Sequence, residues 1–443
     1  MTEYVAGIDL GSTGVKILLA GPAGDVHTVR QRPTPWRTGR GGRTTLTDAD
    51  LLATVAGLLD EAAEALGPDA RVAALAVSGM GETGFVTGSD GRPVAPAFAW
   101  FDRSGAEQAA AFPTALKEEF GGRTGVPWGV QVSAAKMLHL RDGGVTLAGR
   151  RWANLPEFVA AALGAEPVGE RSLVSRTGLI DQDTGAPWPE LLAHLGVDHG
   201  FLPPVVAAGT PLGEVTAPWA PPAFAGARLT VAGHDHLVAA LAGGAGPDDR
   251  YYVSMGTAEV VLRIVESPLT FDARRRLTDM LINCVPNVVA GQHVLVAGVK
   301  TGLLMRRALG LFGISDAEGR DRLDAAVCRV LASLDVPDGA VEVRGARNDD
   351  GVLSLTVRAD GVGPADVFRA VLEHGNAELE RLIAAMEAEV APAHSTLLTG
   401  GWTGMRSVRA ARARVFPSLE VSDRSQDTAY GASQLAARLL VSA

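Results

Sequence analysis

The chain has 443 residues, 47% of them hydrophobic and 20% charged, with a formal charge of −10. That length supplies two or three domains with full cores, and the acidic balance argues against a nucleic-acid binder, which carries a basic face. Cys284 and Cys328 form neither a CxxC motif nor a disulfide framework, no basic-then-apolar leader opens the chain, and no apolar run is long enough for a bilayer, so a cytoplasmic protein without a membrane partner is expected.

The chain opens on strand signals. "YVAGIDL" turns on Gly-Ser-Thr-Gly into "VKILLAGPAGDVHTV", which reads as a hairpin. Residues 47–66 read as a helix, with Thr47 as N-cap and Asp48 and Asp50 in the first turn, where they suit the helix dipole. "VAALAVSGM" (72–80) reads as a buried strand, and a second hairpin turns at Ser89-Asp90-Gly91. Strands mixed with helices give an α/β class.

Residues 105–226 read as helical and irregular, and "TAPWAPPAFAG" (216–226) reads as a turn cluster. The domain boundary is expected there, giving domains 1–226 and 227–443. Beyond it the opening pattern returns. "ARLTVAGHDHLVAALAGGAG" is a strand, an acid and a small-residue helix, and "YYVSMGTAEVVLRIV" is strand, small polar turn, strand. Matching hairpins in two halves suggest a duplicated fold around a cleft. Helices are expected at 364–390, with Pro364 in the first turn, and at 426–441, and between them a strand runs into Gly400-Gly401.

The turns Gly11-Ser12-Thr13-Gly14 and Ser254-Met255-Gly256-Thr257 present backbone N–H groups that can cradle phosphate oxygens, although no P-loop pattern occurs. Asp9 stands at the mouth of the first turn, where a carboxylate beside phosphate calls for a cation such as Mg²⁺; the plain alternative is an Asp capping its own turn. Asp235, between His234 and His236, follows a strand and opens a helix whose positive end favours its ionised form. A catalytic carboxylate is expected at Asp235 rather than a histidine metal site, because successive residues on a regular element do not converge on one centre.

Taken in order, Asp9-Leu10-Gly11-Ser12-Thr13, "WFDR" (100–103), "GHDHLVAALAGG", "VSMGTAE", "RAVLE", "LTGGW" and "TAYGASQLAA" resemble the FGGY carbohydrate kinases over essentially the whole chain. "SRTGLID" (175–181), Trp188, "LPPVV" and Gly213 are also similar. The resemblance implies two actin-like ATPase (ribonuclease H-like) domains around a deep cleft, ATP and Mg²⁺ as cofactors, and a small sugar or polyol as acceptor; it allows a homodimer. It implies Asp9 as the Mg²⁺-associated acid and Asp235 as the general base. Gly11, Ser12, Thr13, Lys16, Ser254, Gly256 and Thr257 would hold phosphates, and Gly400 and Gly401 would lie at the adenosine. Glu82, Trp100 and Asp102 would hold the acceptor beside Asp235.

Three features depart from the family pattern. "SGMGETG" replaces the Gln-Met-His-Gly of many xylulokinases and is more like the Arg-Glu-Thr of glycerol kinase. Trp402 stands where a small residue is usual, and "GVLSLTV" (351–357) lacks the Gly-x-Phe-x-Gly form. Two acids at the acceptor favour neutral ketoses or polyols over aldonates. The rival readings are a nucleotide-dependent switch or sugar sensor on the same fold, and a metal-dependent hydrolase using His234 and His236.

Overall fold

The computed structural model describes residues 2–441 apart from 22, 248–249, 332–338, 347–351, 353, 423 and 425. Two sheets organise it. The first runs in the order Arg228–His234, Ala70–Gly79, Thr2–Leu10, Gly14–Ala20, Val26–Pro33. Its first three strands in sequence are antiparallel, and Ala70–Gly79 and Arg228–His234 add in parallel on the other side of Thr2–Leu10.

The second sheet repeats this plan. Arg250–Met255 pairs antiparallel with Glu259–Val265, which pairs antiparallel with His293–Val299, while Ser395–Thr399 and Leu419–Val421 add in parallel. Asn283–Pro286 extends the antiparallel edge. The duplicated hairpins thus head two sheets of the same topology, which is the two-domain actin-like architecture. Thr2–Leu10 is buried from Val5 onward, so it reads as an apolar run rather than an alternation.

The helices follow from their caps and apolar faces. Asp48–Glu64 begins where Thr47 Oγ1 accepts from Asp50 N at 3.2 Å, and Leu51, Val55, Leu58 and Leu59 face the first sheet's core. Pro364–Glu387 starts on Pro364 and ends three residues before the expected 390. The last helix, Asp427–Val441, crosses from the second sheet to the first, where Ala429, Ala432 and Leu435 share a core with Val5 and Ala74.

The strand that follows the expected break, Arg228–His234, belongs to the first sheet. Residues 228–231 pair in parallel with 74–77, because their apolar side chains complete the layer begun by Ala70–Gly79. The turn cluster at 216–226 is a surface connection inside the first lobe, closed by Val215 N to Ala227 O at 2.8 Å and Gly226 N to Val215 O at 3.0 Å. Among the described residues no helix is long and apolar enough to cross a membrane.

The lobes also meet away from the chain crossover. Helix Thr114–Thr124 of the first packs on helix Phe271–Asp279 of the second. A Cβ on Gly121 would stand 2.0 Å from Thr278 Oγ1, and one on Gly122 would stand 2.4 Å from the Phe271 ring, so only glycine admits this approach. Beside it, Cys284 N donates to Gly125 O at 2.7 Å, and Gln182 Nε2 donates to Cys284 O at 2.6 Å.

Candidate active site

A cavity of about 290 Å³ lies between the lobes, beside this second contact. From the first lobe it is lined by Ser12, Glu82, Trp100, Arg176 and residues 234–236; from the second by Ala258, Leu281, Asn283 and residues 296–298.

Asp235 opens helix Asp235–Ala242. The chain reaches it through an irregularity in the strand: pairing with Ala70–Gly79 shifts register between Val231 and Gly233, and Gly233 has φ +105°. Ser78 Oγ holds Gly233 O at 2.9 Å, and His234 N donates to Ser172 Oγ at 3.0 Å, so the turn is pinned from both sides. Burial pushes the Asp235 carboxyl up. His236, His234, the His236 backbone N–H at 2.6 Å and Arg176 outweigh it and hold the group below the usual carboxylate range. His234 is itself buried and pushed down to about 3, hence neutral near pH 7. The lowering at Asp235 therefore rests on His236, the backbone and Arg176.

Asp9 sits on the strand Thr2–Leu10, directly opposite Lys16, with Lys16 Nζ 3.8 Å from Oδ2. It is buried, and its Oδ1 has no hydrogen-bond partner. Burial, then the charge of Asp235, push its carboxyl up to about 7, and Lys16 offsets this only in part. Among the described residues no group of three His, Cys, Asp or Glu could hold a metal ion. The residues fit Mg²⁺ in another way. Asp9, with its orphaned oxygen, would hold it near Asp235, and the cation would relieve the repulsion between the two acids.

The turn 11–13 is braced from behind. Thr34 Oγ1 donates to Gly11 O at 2.6 Å and Trp36 Nε1 donates to Ser12 O at 2.7 Å, while Ser12 lines the cavity. In the second lobe, Gly256 N donates to Ala258 O at 3.0 Å, Leu303 N donates to Thr257 O at 2.9 Å, and Ser254 is the last residue but one of strand Arg250–Met255. Gly400, at φ +100°, packs on this turn: a Cβ there would lie 2.5 Å from Met255 O. Gly401 follows in a short 3-10 turn. Trp402 donates from Nε1 to Gly256 O at 3.1 Å, so its indole ties the glycine pair to the 254–257 turn.

The expected acceptor residues divide. Trp100 lines the cavity, edge-on to Phe101 at 5.4 Å. Glu82 lines it too, buried and in a left-handed conformation at φ +60°, and Arg176 Nε donates to its Oε1 at 2.6 Å. Asp102 does not line it. Its Oδ2 accepts from Thr44 N at 2.6 Å and its Oδ1 from Ser104 N at 2.7 Å, so the carboxylate ties its own loop to the start of strand Thr44–Leu46. Lys136 Nζ holds the same loop through Ser104 O at 2.8 Å and Asp102 O.

Sequence reading missed Arg176, which stands in the quoted "SRTGLID" but 94 positions from the acid it pairs with. It also missed His236 as a charge partner and the apolar wall of the second lobe, for which no local signal exists.

The N-terminal-domain signature of the FGGY family of carbohydrate kinases matches residues 4–242, and the chain belongs to that family. A glycerol kinase from Solidesulfovibrio magneticus is 27% identical over 251 residues, 53% of this chain and 48% of that one, so the match spans about half the length of this curated relative. A ligand-bound xylulose kinase from Lactobacillus acidophilus superposes with a TM-score of 0.85 at 17% identity, over 100% of this chain and 90% of that one. Plasmodium falciparum glycerol kinase with ADP gives 0.85 at 15% identity, over 99% and 90%. At those identities the likeness establishes the fold.

Proposed function

We propose that the protein is an ATP-dependent kinase that transfers the γ-phosphate to a hydroxyl of a small neutral sugar or polyol, with Asp235 as general base. The observation that supports it best is a carboxylate kept ionised inside a cleft, at a helix N-terminus, beside a second buried acid with an orphaned oxygen. A switch or sensor needs nucleotide turns but no such base.

On this reading the acceptor lies against Trp100 and the Glu82–Arg176 pair, and the nucleotide phosphates lie between the turns at 11–13 and 254–257. Asp235 takes the proton from the attacking hydroxyl as its oxygen bonds to the γ-phosphorus, and the bridging bond to the β-phosphate breaks to release ADP. Phosphoryl transfer asks the protein mainly for positioning and charge neutralisation. Mg²⁺ held at Asp9 would supply the second. Among the described residues, Arg176 is the one arginine or lysine in the cavity lining and is already paired with Glu82, so an aldonate carboxylate finds no free cation there, which favours neutral acceptors.

We also place the junction between lobes after helix Asp235–Ala242, because the strand before that helix pairs in the first sheet.

The test is an ADP-release screen over ketoses, polyols and aldonates with wild type and Asp235→Asn. The variant is expected to lose about 10²–10⁴-fold in kcat while binding ATP as wild type does. Turnover within tenfold of wild type removes the base role, and gluconate outperforming every neutral acceptor removes the neutral-substrate reading.

A further inference from the structure

We infer that the acceptor carries an apolar end without hydroxyls and that Leu281 selects for it; the inference rests on the kinase reading above. The cavity lining carries two chemically distinct sets of side chains. One is Asp235, His236, the Glu82–Arg176 pair and Ser12. The other is Val126, Trp128 and Val130 from the first lobe and Val260, Leu281 and Val296 from the second. Asn283 of the second lobe donates from Nδ2 to Val296 O at 3.3 Å.

Leu281 holds its place against a local preference. Helix Phe271–Asp279 ends with Leu281 N donating to Thr278 O and Ile282 N donating to Leu277 O, both at 2.9 Å. This is the Schellman ending, whose left-handed residue is most often glycine because a Cβ is strained there. Here the position carries leucine at φ +64°. Of five non-glycine residues with positive φ among the described residues, Glu82 and Leu281 both line this cavity, from opposite lobes. Strain of this kind persists where surrounding structure and function require the side chain. The Leu281 side chain contributes to the cavity wall what glycine cannot.

A hydroxyl pressed against the Leu281 and valine side chains gives up water and gains no partner from them, whereas a methyl or methylene packs there. Apolar pockets discriminate by roughly 10–100-fold per such group. The acceptor class is therefore a neutral sugar or polyol with a terminal deoxygenated carbon remote from the phosphorylated hydroxyl.

The experiment pairs calorimetric binding to the full chain with the ADP-release assay, using a pentulose or pentitol and its terminally deoxygenated counterpart. The deoxy member is expected to bind and react at least tenfold better. Leu281→Asn is expected to abolish or reverse that ratio. Leu281→Gly is expected to keep or raise Tm while losing the preference, which a purely structural leucine would not do. Equal binding of the two members, no binding of either, or an unchanged ratio in Leu281→Asn overturns the inference. Preferential deoxy binding without turnover supports the wall and defeats the kinase reading; turnover without preference does the reverse.

Discussion

Arg176 donates from Nε to Oε1 of Glu82 at 2.6 Å, pairing across 94 residues an acid that lines the cavity with a cation equally buried. Burial pushes the Glu82 carboxyl up, and Arg176 opposes this. Removing the cation leaves a buried acid uncompensated, at about 3–5 kcal/mol for such pairs, or forces it to protonate. Arg176→Gln is expected to lower Tm and raise the acceptor KM at least tenfold, with the ATP KM near wild type. A defect confined to the ATP KM would contradict the placement of the pair at the acceptor.

Asp9 makes the unliganded protein sensitive to pH in an unusual direction. Its folded carboxyl lies at about 7 against an ordinary 3.8. Between those values the folded chain holds a proton that the unfolded chain has released, so this group's contribution to stability falls as pH rises from about 4 to 7, at roughly 1.4 kcal/mol per unit. Mg²⁺ binding needs the ionised form and is expected to strengthen over the same range. Denaturation midpoints at several pH values, with Asp9→Asn as control, check both. The variant's curve should be flatter across the window and its nucleotide binding insensitive to Mg²⁺.

Asp102 separates a binding role from a structural one. Its oxygens accept backbone N–H groups of Thr44 and Ser104. Burial would raise this carboxyl, but the Ser104 and Thr44 bonds and Lys136 keep it low. Asp102→Ala should cost about 1.5–3 kcal/mol through lost bonds to a charged acceptor and leave the acceptor KM within threefold. A large rise in KM at unchanged Tm would restore the binding role expected from "WFDR".

Gly233 sets where Asp235 points. A Cβ there would lie 2.6 Å from Val288 Cγ1 and 2.7 Å from Ser172 Oγ, and φ is +105°. Gly233→Ala is expected to fold and to bind ATP but to lose about 10²-fold in kcat, the scale of a 1 Å misplacement. Wild-type kcat in a folded variant would show that the turn does not position the base.

What the sequence made legible was local. The strand-turn-strand at 5–20 and its echo at 251–265 announced two matching sheets, because apolar runs and small polar turns are short-range signals. Ser12, Glu82, Trp100 and Asp235 line one cavity, and Asp9 stands close enough to feel the charge of Asp235. An acid in a motif looks the same whether it faces a ligand or backbone N–H groups; the two that Asp102 accepts from, of Thr44 and Ser104, are visible only in three dimensions. Arg176 and Leu281 were missed for the complementary reason. One acts through a partner far away in sequence, and the other through a helix ending that leucine does not advertise.

The contact of Gly121 and Gly122 with Thr278 and Phe271 has a bearing on how such chains diverge. It sits next to the cavity and fixes the spacing of the lobes there. A relative with alanine at either position must hold helix Thr114–Thr124 further from its partner, and the walls around Val126 and Leu281 move apart with it. Acceptor size can then change while every residue lining the cavity stays the same. Comparing lining residues alone would judge two such enzymes identical, although one admits a carbon that the other excludes.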